Sequence, residues 1–575
     1  MSSWWKSGAR RVVALALVSA VAASCTPHPG GGAANAPQRE EQGPVRTALG
    51  AFLAGRLAQG RGDTRAAAEY YSAALKFDPD NMELLQRAFT LMVAEGRMDE
   101  ASPLADRLLS FDGDAPIPLL VAGLKAAREG RFTDSETHFA ALPKRGVFGF
   151  LGPMMTAWSR AGQGRTDAAL EALAPLGQIN GLAAMQAFHS GLINDLADRT
   201  KAAEDSYQVA LATQLSIRSV EAAGTFFQRN GKPERAKDLY GRYRTEHPES
   251  VLFDGQRLLQ AGVTVPRAVA DSKAGMAEAL FDMSSLMRQG NAVDLAMVFS
   301  RLTLAVQPDF ALAQMNVADI LSSQDRQAEA NALYRAIDPA SPVAVFGRLR
   351  SAMNLEEMGQ TEAALAELDK FAKDQPDNLD ALITKGDVLR RKKRFDEAAL
   401  AYDGAIKRAG PLGGHHWALF YARGISFERS RDWPKAEADF LKALELKPDQ
   451  PDVLNYLGYT WVDRGLNLDK ARAMIEKAVS LRPKDGAIVD SLGWALYRLG
   501  EYQSAVKALE RAIELRPEDP TINDHLGDAY FQVGRFAEAT FQWKRALSLD
   551  PEPEQIEPVQ KKIDSGRVPA NPLAK

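Results

Sequence analysis

Prolines 483, 517 and 551 stand 34 residues apart, and the stretches before them open on the related strings NYLGYTWVDRG, DSLGWALYRLG and DHLGDAYFQVG. A fixed period of this length marks stacked helical modules, since a single closed globule has no reason to repeat its spelling at constant spacing. Small residues recur in step: Leu457/Gly458, Leu492/Gly493 and Leu526/Gly527, then Ala471, Ala505 and Ala539, then Ala478, Ala512 and Ala546. The glycines and alanines let two antiparallel helices approach closely. Trp461, Leu496 and Tyr530 on the first helix of each module, with Ile475, Leu509 and Trp543 on the second, fill the remaining gaps. Gly465, Gly500 and Gly534 fall at the turn between the helices, where a left-handed residue is cheapest as glycine. Asp519 followed by Pro520 reads as an N-cap and first helical residue that restarts the next module. One hairpin cannot bury its apolar face alone, so stability must come from stacking neighbours.

The order Leu-Gly, aromatic, Ala, aromatic or aliphatic, Ala, Pro resembles the tetratricopeptide repeat. That resemblance implies an all-α superhelical solenoid. The same register runs back to Gly55, with Gly62 at the turn, Ala67, Tyr71, Ala74 and Pro79, and weaker copies follow. Six hairpins are expected over 46–247, an irregular connector over 248–275 and eight hairpins over 276–551, fourteen in two blocks. Residues 552–575 are expected to form a capping helix, with Ile556, Val559 and Ile563 at helical spacing, and a tail.

The N-terminus has a different character. Lys6, Arg10 and Arg11 precede an apolar run over 12–23, and Ala22, Ala23 and Ser24 lead into Cys25, the sole cysteine. Such a run is too short to span a bilayer and suits a signal peptide over 1–24. The position of Cys25 resembles the acylated cysteine of bacterial lipoproteins, although Ala22 stands where those signals prefer Leu. An ordinary secretory signal with Cys25 incidental is the alternative. Under the first reading Cys25 carries acyl chains that anchor the protein. Thr26, in place of the Asp that commonly retains such proteins at the inner membrane, then implies an outer-membrane lipoprotein facing the periplasm. Residues 25–45, rich in Pro, Gly and small polar residues, read as a flexible tether.

Removing Lys6, Arg10 and Arg11 from 70 basic residues leaves 67 against 74 acidic, a net of −7. That balance offers nothing to attract nucleic acid, and membrane association is expected through the lipid anchor alone. The seven histidines form no H-E-x-x-H or comparable metal spacing, and the adjacent His415 and His416 sit in a GPLGGHHW insertion. Gly224 and the Gly231-Lys232 pair miss the spacing of a phosphate loop, and no G-x-S-x-G elbow occurs. No catalytic group, metal or cofactor is expected.

What remains is surface. The first helix of each hairpin is expected to line the concave side, placing Tyr459, Asp490, Trp494, Tyr497, Asp524, Asp528 and Phe531 there as a candidate protein-binding groove. The alternative is that these residues pack on the adjacent hairpin or under the C-terminal cap. The basic run Arg390, Arg391, Lys392, Lys393 and Arg394 reads as a solvated helix end or, alternatively, a partner site. Finally, the run from Asn455 to Gly500 resembles the C-terminal repeats of LbcA-like outer-membrane lipoproteins, adaptors of periplasmic carboxyl-terminal processing proteases. The resemblance implies a scaffold that brings a serine protease to cell-wall hydrolases. A lipoprotein of a pilus, secretion or outer-membrane assembly complex is the competing expectation, and a peptidoglycan-active enzyme a third.

Overall fold

The computed structural model describes residues 47–213, 215–247, 259 and 265–569. The signal segment, Cys25, the tether, most of the connector and the end of the tail lie outside the described residues. Among those described there are twenty-nine α-helices, which run as fourteen consecutive pairs followed by a lone last helix, Pro553–Ser565. None of them is long and apolar enough to cross a membrane.

Eight of the fourteen pairs share one recurring contact. A glycine on the first helix faces a large side chain sixteen residues later on the second: Gly55 meets Tyr71, Gly386 meets Tyr402, Gly493 meets Leu509 and Gly527 meets Trp543. A Cβ on Gly527 would come within 2.5 Å of the Trp543 indole, so the helices close to this distance only because no side chain intervenes. The turns behave as the spacing requires. Gly465, Gly500 and Gly534 have φ of 70°, 82° and 81°, and Asp198, Asn291, Asp325, Lys393 and Arg431 take the same left-handed conformation in other pairs. Asp519 caps its helix by accepting from the Thr521 amide at 3.0 Å, and Pro520 occupies the first helical turn.

The chain forms two compact units, Met1–Ala364 and Leu365–Lys575. This division differs from the one that periodicity marks at 248–275. After six pairs, helices Ser272–Gln289 and Val293–Val306 turn back onto the first helices of the earlier pairs, within one continuous hydrophobic core that runs from Ala51 to Leu302. Trp158 covers Gly275, donates from Nε1 to His189 Nδ1 at 3.1 Å, and His189 Nε2 in turn donates to Asp282 at 3.1 Å. Because Nδ1 accepts from the indole, Nε2 is the ring nitrogen left to donate to Asp282. Arg218 pairs with buried Glu278, and Arg301 Nε donates to the Ala94 carbonyl at 3.1 Å. Arg326 joins Glu95 at 2.6 Å, Glu329 at 2.8 Å and Thr64 at 2.9 Å. The first helices of the second to sixth pairs are therefore packed against the unit's own returning chain, and that of the first pair, Ala48–Gly60, is not.

The second unit stacks five complete pairs, from Asp380–Arg391 to Phe536–Ser548, and ends on Pro553–Ser565. Val559 and Lys562 of that last helix are buried, while Glu554, Glu557, Gln560, Lys561 and Asp564 face solvent.

Candidate functional site

The seven groove residues sit on three successive first helices, Pro451–Arg464, Gly486–Arg498 and Pro520–Gln532. Leucines and alanines on the opposite face of these helices pack into the hairpins and fix which way the groove face points.

Trp494 is the centre of the arrangement. Its ring stacks on Tyr497 at 4.9 Å between centroids and on His525 at 4.1 Å, with interplanar angles of 11° and 17°. His525 Nδ1 donates to Asp490 at 3.0 Å. Burial pushes the His525 imidazole toward neutrality, but the charge and hydrogen bond of Asp490, with Asp524 and Asp528 farther off, outweigh it and leave its pKa raised.

The acidic pair beside it faces the last helix. Lys562 Nζ lies 2.8 Å from both Asp524 and Asp528, and Trp543 Nε1 donates to Asp528 at 2.9 Å. Burial raises the Asp528 carboxyl to about 6 against the pull of Lys562. Burial alone would lower the Lys562 ammonium, and the two aspartates reverse this.

Asp490, Tyr497 and Asp528 are consequently buried, and they join neighbouring modules to one another. Tyr497 OH accepts from Gln532 at 3.4 Å. Phe531 is half-buried against Phe536 and Trp543. Asp524 is half-buried on Lys562. That leaves Tyr459 and Trp494, both half-buried. Burial drives the Tyr459 hydroxyl well above its ordinary pKa, so it stays a neutral donor. Beside them, Asn455 Oδ1 and Trp494 Nε1 are shielded from water and lack hydrogen-bond partners among the described residues. Two adjacent modules thus each hold one orphaned polar atom, an acceptor and a donor, closed off from solvent as the groove stands.

His525 and Lys562 were not among the expected groove residues. A signal for both was present: Asp463/Arg498, Asp490/His525 and Asp528/Lys562 are opposite charges 34 or 35 residues apart, one module's length, and each pair is in contact.

The basic run ends helix Asp380–Arg391. Arg391, Lys392 and Lys393 are exposed, Arg390 lies 3.6 Å from Asp387, and Arg394 pairs with Glu397 at 2.6 Å. The His415 and His416 rings lie 3.8 Å apart, and His416 Nδ1 accepts from the Gly413 amide at 2.9 Å, closing the turn before Trp417. Cys25 lies outside the described residues.

Family models described as tetratricopeptide repeat match residues 58–127, 349–413 and 421–487, and one described as TPR repeat matches 493–534. The chain is similar to TPR repeat-containing protein PA4667 of Pseudomonas aeruginosa, 29% identical over 198 residues, or 34% of this chain and 33% of that protein. It is also similar to human tetratricopeptide repeat protein 13, 28% identical over 131 residues, 22% of this chain and 15% of the other. The chain thus spans a third or less of the length of these relatives. Among solved structures, the Cut9–Hcn1 assembly aligns over 90% of this chain and 96% of the other at 13% identity and a TM-score of 0.37. Yeast Tom70 aligns over 90% and 95% at 14% identity and a TM-score of 0.34.

Proposed function

We propose that this chain, four stretches of which match tetratricopeptide-repeat family models, is a scaffold for protein partners: a lipid-tethered, non-catalytic adaptor that brings a periplasmic carboxyl-terminal processing protease to cell-wall hydrolases. Cys25 carries the acyl chains and holds the protein to the outer membrane. The second unit binds a partner segment over Tyr459 and Trp494, and co-binding of protease and substrate raises their effective concentration without chemistry from the scaffold.

The observation that carries the binding site is the pair of half-buried aromatic rings, Tyr459 and Trp494, on adjacent first helices, each helix also holding an unsatisfied buried atom, Asn455 Oδ1 or Trp494 Nε1. Buried polar atoms without partners are costly, and a shift of the groove wall that opens them to a bound main chain removes that cost. The first unit supports the same choice, since residues 272–306 pack on the first helices of its second to sixth pairs. The resemblance of Asn455 to Gly500 to the LbcA-like adaptors supports the partner class.

Affinity capture from detergent-solubilised envelopes with the tagged full chain tests this. A serine protease together with hydrolases is expected, with loss of both from Trp494→Ala. Recovery of pilus, secretion or barrel-assembly components instead replaces the partner assignment. Turnover of peptidoglycan by the purified protein alone overturns the non-catalytic reading.

A further inference from the structure

The first helix, Ala48–Gly60, presents two opposite apolar faces. Ala51, Gly55 and Ala58 are buried against its hairpin partner, with Gly55 under the Tyr71 ring. Leu49, Leu53 and Leu57, about half a turn around the helix, are 67%, 54% and 56% exposed. In later modules the corresponding face is covered by the module before it. A repeat array normally ends on a polar outer face, and the last helix is polar there but for Ile556, which is exposed and not packed as its spacing predicts, with Glu554, Glu557, Gln560 and Lys561 also outward. The first helix is not polar there. It contains no acidic residue, and Arg56 and, just beyond its end, Arg61 are exposed.

Three occupants of this face can be weighed. The preceding segment, 26–46, has a single side chain more apolar than proline or alanine, Val45, to lay over three leucines. A second copy would bury roughly 300 Å² of leucine surface, well short of the roughly 800 Å² per partner that a stable interface needs. A phospholipid surface fits both features, since leucines enter the acyl boundary while arginines meet the phosphates. It also lies close by. If Cys25 is acylated, the 21 residues of 26–46 cannot carry Thr47 farther than about 75 Å from the anchor, and the covalent link raises the effective concentration of the bilayer at the first helix.

We infer that Leu49, Leu53 and Leu57, with Arg56 and Arg61, form a membrane-docking face that seats the first helix on the phospholipid surface to which Cys25 is anchored. This rests on the tethered reading above. The face is a contact distinct from the anchor, and it restrains the first repeat against the bilayer.

The test uses the acylated mature protein carrying Leu53→Cys, whose thiol is the only reactive one once Cys25 is a thioether. A fluorescent label there, and one at Gln560→Cys as a control, are compared in vesicles of phosphatidylethanolamine and phosphatidylglycerol. The reference is the unanchored Cys25→Ser chain in buffer. At position 53, anchoring is expected to abolish most quenching by aqueous iodide and to introduce quenching by brominated lipid, with no change at position 560. Leu53 is exposed, so the substitution leaves the fold intact, and circular dichroism checks this. An acylated protein whose label at 53 remains open to iodide overturns this inference alone. A mature N-terminus without acyl groups, seen by mass spectrometry, overturns the tether and this inference together. Shielding already present in the unanchored chain overturns it in favour of the chain's own residues or, where sedimentation shows a dimer, of a second copy.

Discussion

Lys562 reaches back one module length to Asp528, placing its ammonium 2.8 Å from a carboxylate that Trp543 Nε1 also contacts at 2.9 Å. Both partners are buried, so this pair joins the last helix to the array through charges that water cannot replace. Lys562→Met is expected to cost about 3 kcal/mol, since removing one partner leaves a buried charge unpaired, and Lys562→Met with Asp528→Leu is expected to recover most of it. Denaturant unfolding of the two variants measures this. Equal losses in both would assign the effect to packing.

The same cluster sets a pH dependence. The folded pKa values of Asp528, raised to about 6, and of His525, also raised, exceed their unfolded values. The folded state therefore holds protons more tightly than the unfolded state, so the contribution is present at low pH and is lost as pH rises through the folded pKa values. Amide exchange in Pro520–Gln532, corrected for its intrinsic chemistry, is expected to be slower at pH 5 than at pH 8. Faster exchange at pH 5 would contradict the cluster's role.

In the first unit the sign reverses. Burial raises the Glu95 carboxyl, but hydrogen bonds and charge from Arg326 outweigh it and hold its pKa below the ordinary value. The stabilisation from Arg326 and Glu95 is thus present above the unfolded pKa and lost as pH falls through the folded one. Arg326→Ala is expected to cost about 3 kcal/mol through the buried Glu95 and to speed exchange in both Met82–Ala94 and Ala311–Ser323. A change confined to one of these helices would show that the pair does not couple them.

Two glycine substitutions separate close approach from backbone conformation. Gly527→Ala drives a Cβ into the Trp543 indole and is expected to cost about 2 kcal/mol. Gly534→Ala meets nothing within 4 Å but has φ of 81°, so about 1 kcal/mol is expected from the left-handed conformation alone. Thermal melts compare them, and a larger loss at Gly534 would contradict the packing account.

Trp494→Phe keeps a ring on His525 and removes the orphaned N–H. Stability is expected not to fall, because that donor has no partner to lose and its unpaired burial is itself a cost. Partner capture is expected to fall about tenfold, the equivalent of one hydrogen bond of about 1.4 kcal/mol. Unchanged capture would remove Trp494 Nε1 from the binding site.

The repeat spelling carried a great deal. Each contact within a hairpin joins residues a fixed number of positions apart, so Gly493 to Leu509, the left-handed turns at Gly465, Gly500 and Gly534, the Asp519 cap and the succession of fourteen pairs could all be read from spacing. Contacts at one module length, such as Asp490 with His525 and Asp528 with Lys562, were also encoded as charge pairs. Their burial was not, because the same residue type serves a groove or an inter-module joint depending on what the next helix places over it.

The sequence by itself determined the module, its two helices and the tight approach between them, since all of these depend on neighbours at constant separation. Only the tertiary structure decided that residues 272–326 return onto the first helices of the second to sixth pairs, bringing Asp282 to His189 and Arg326 to Glu95 across 93 and 231 residues. Small rotations at each stacking step accumulate to set where a distant helix arrives, and no period in the chain records their sum.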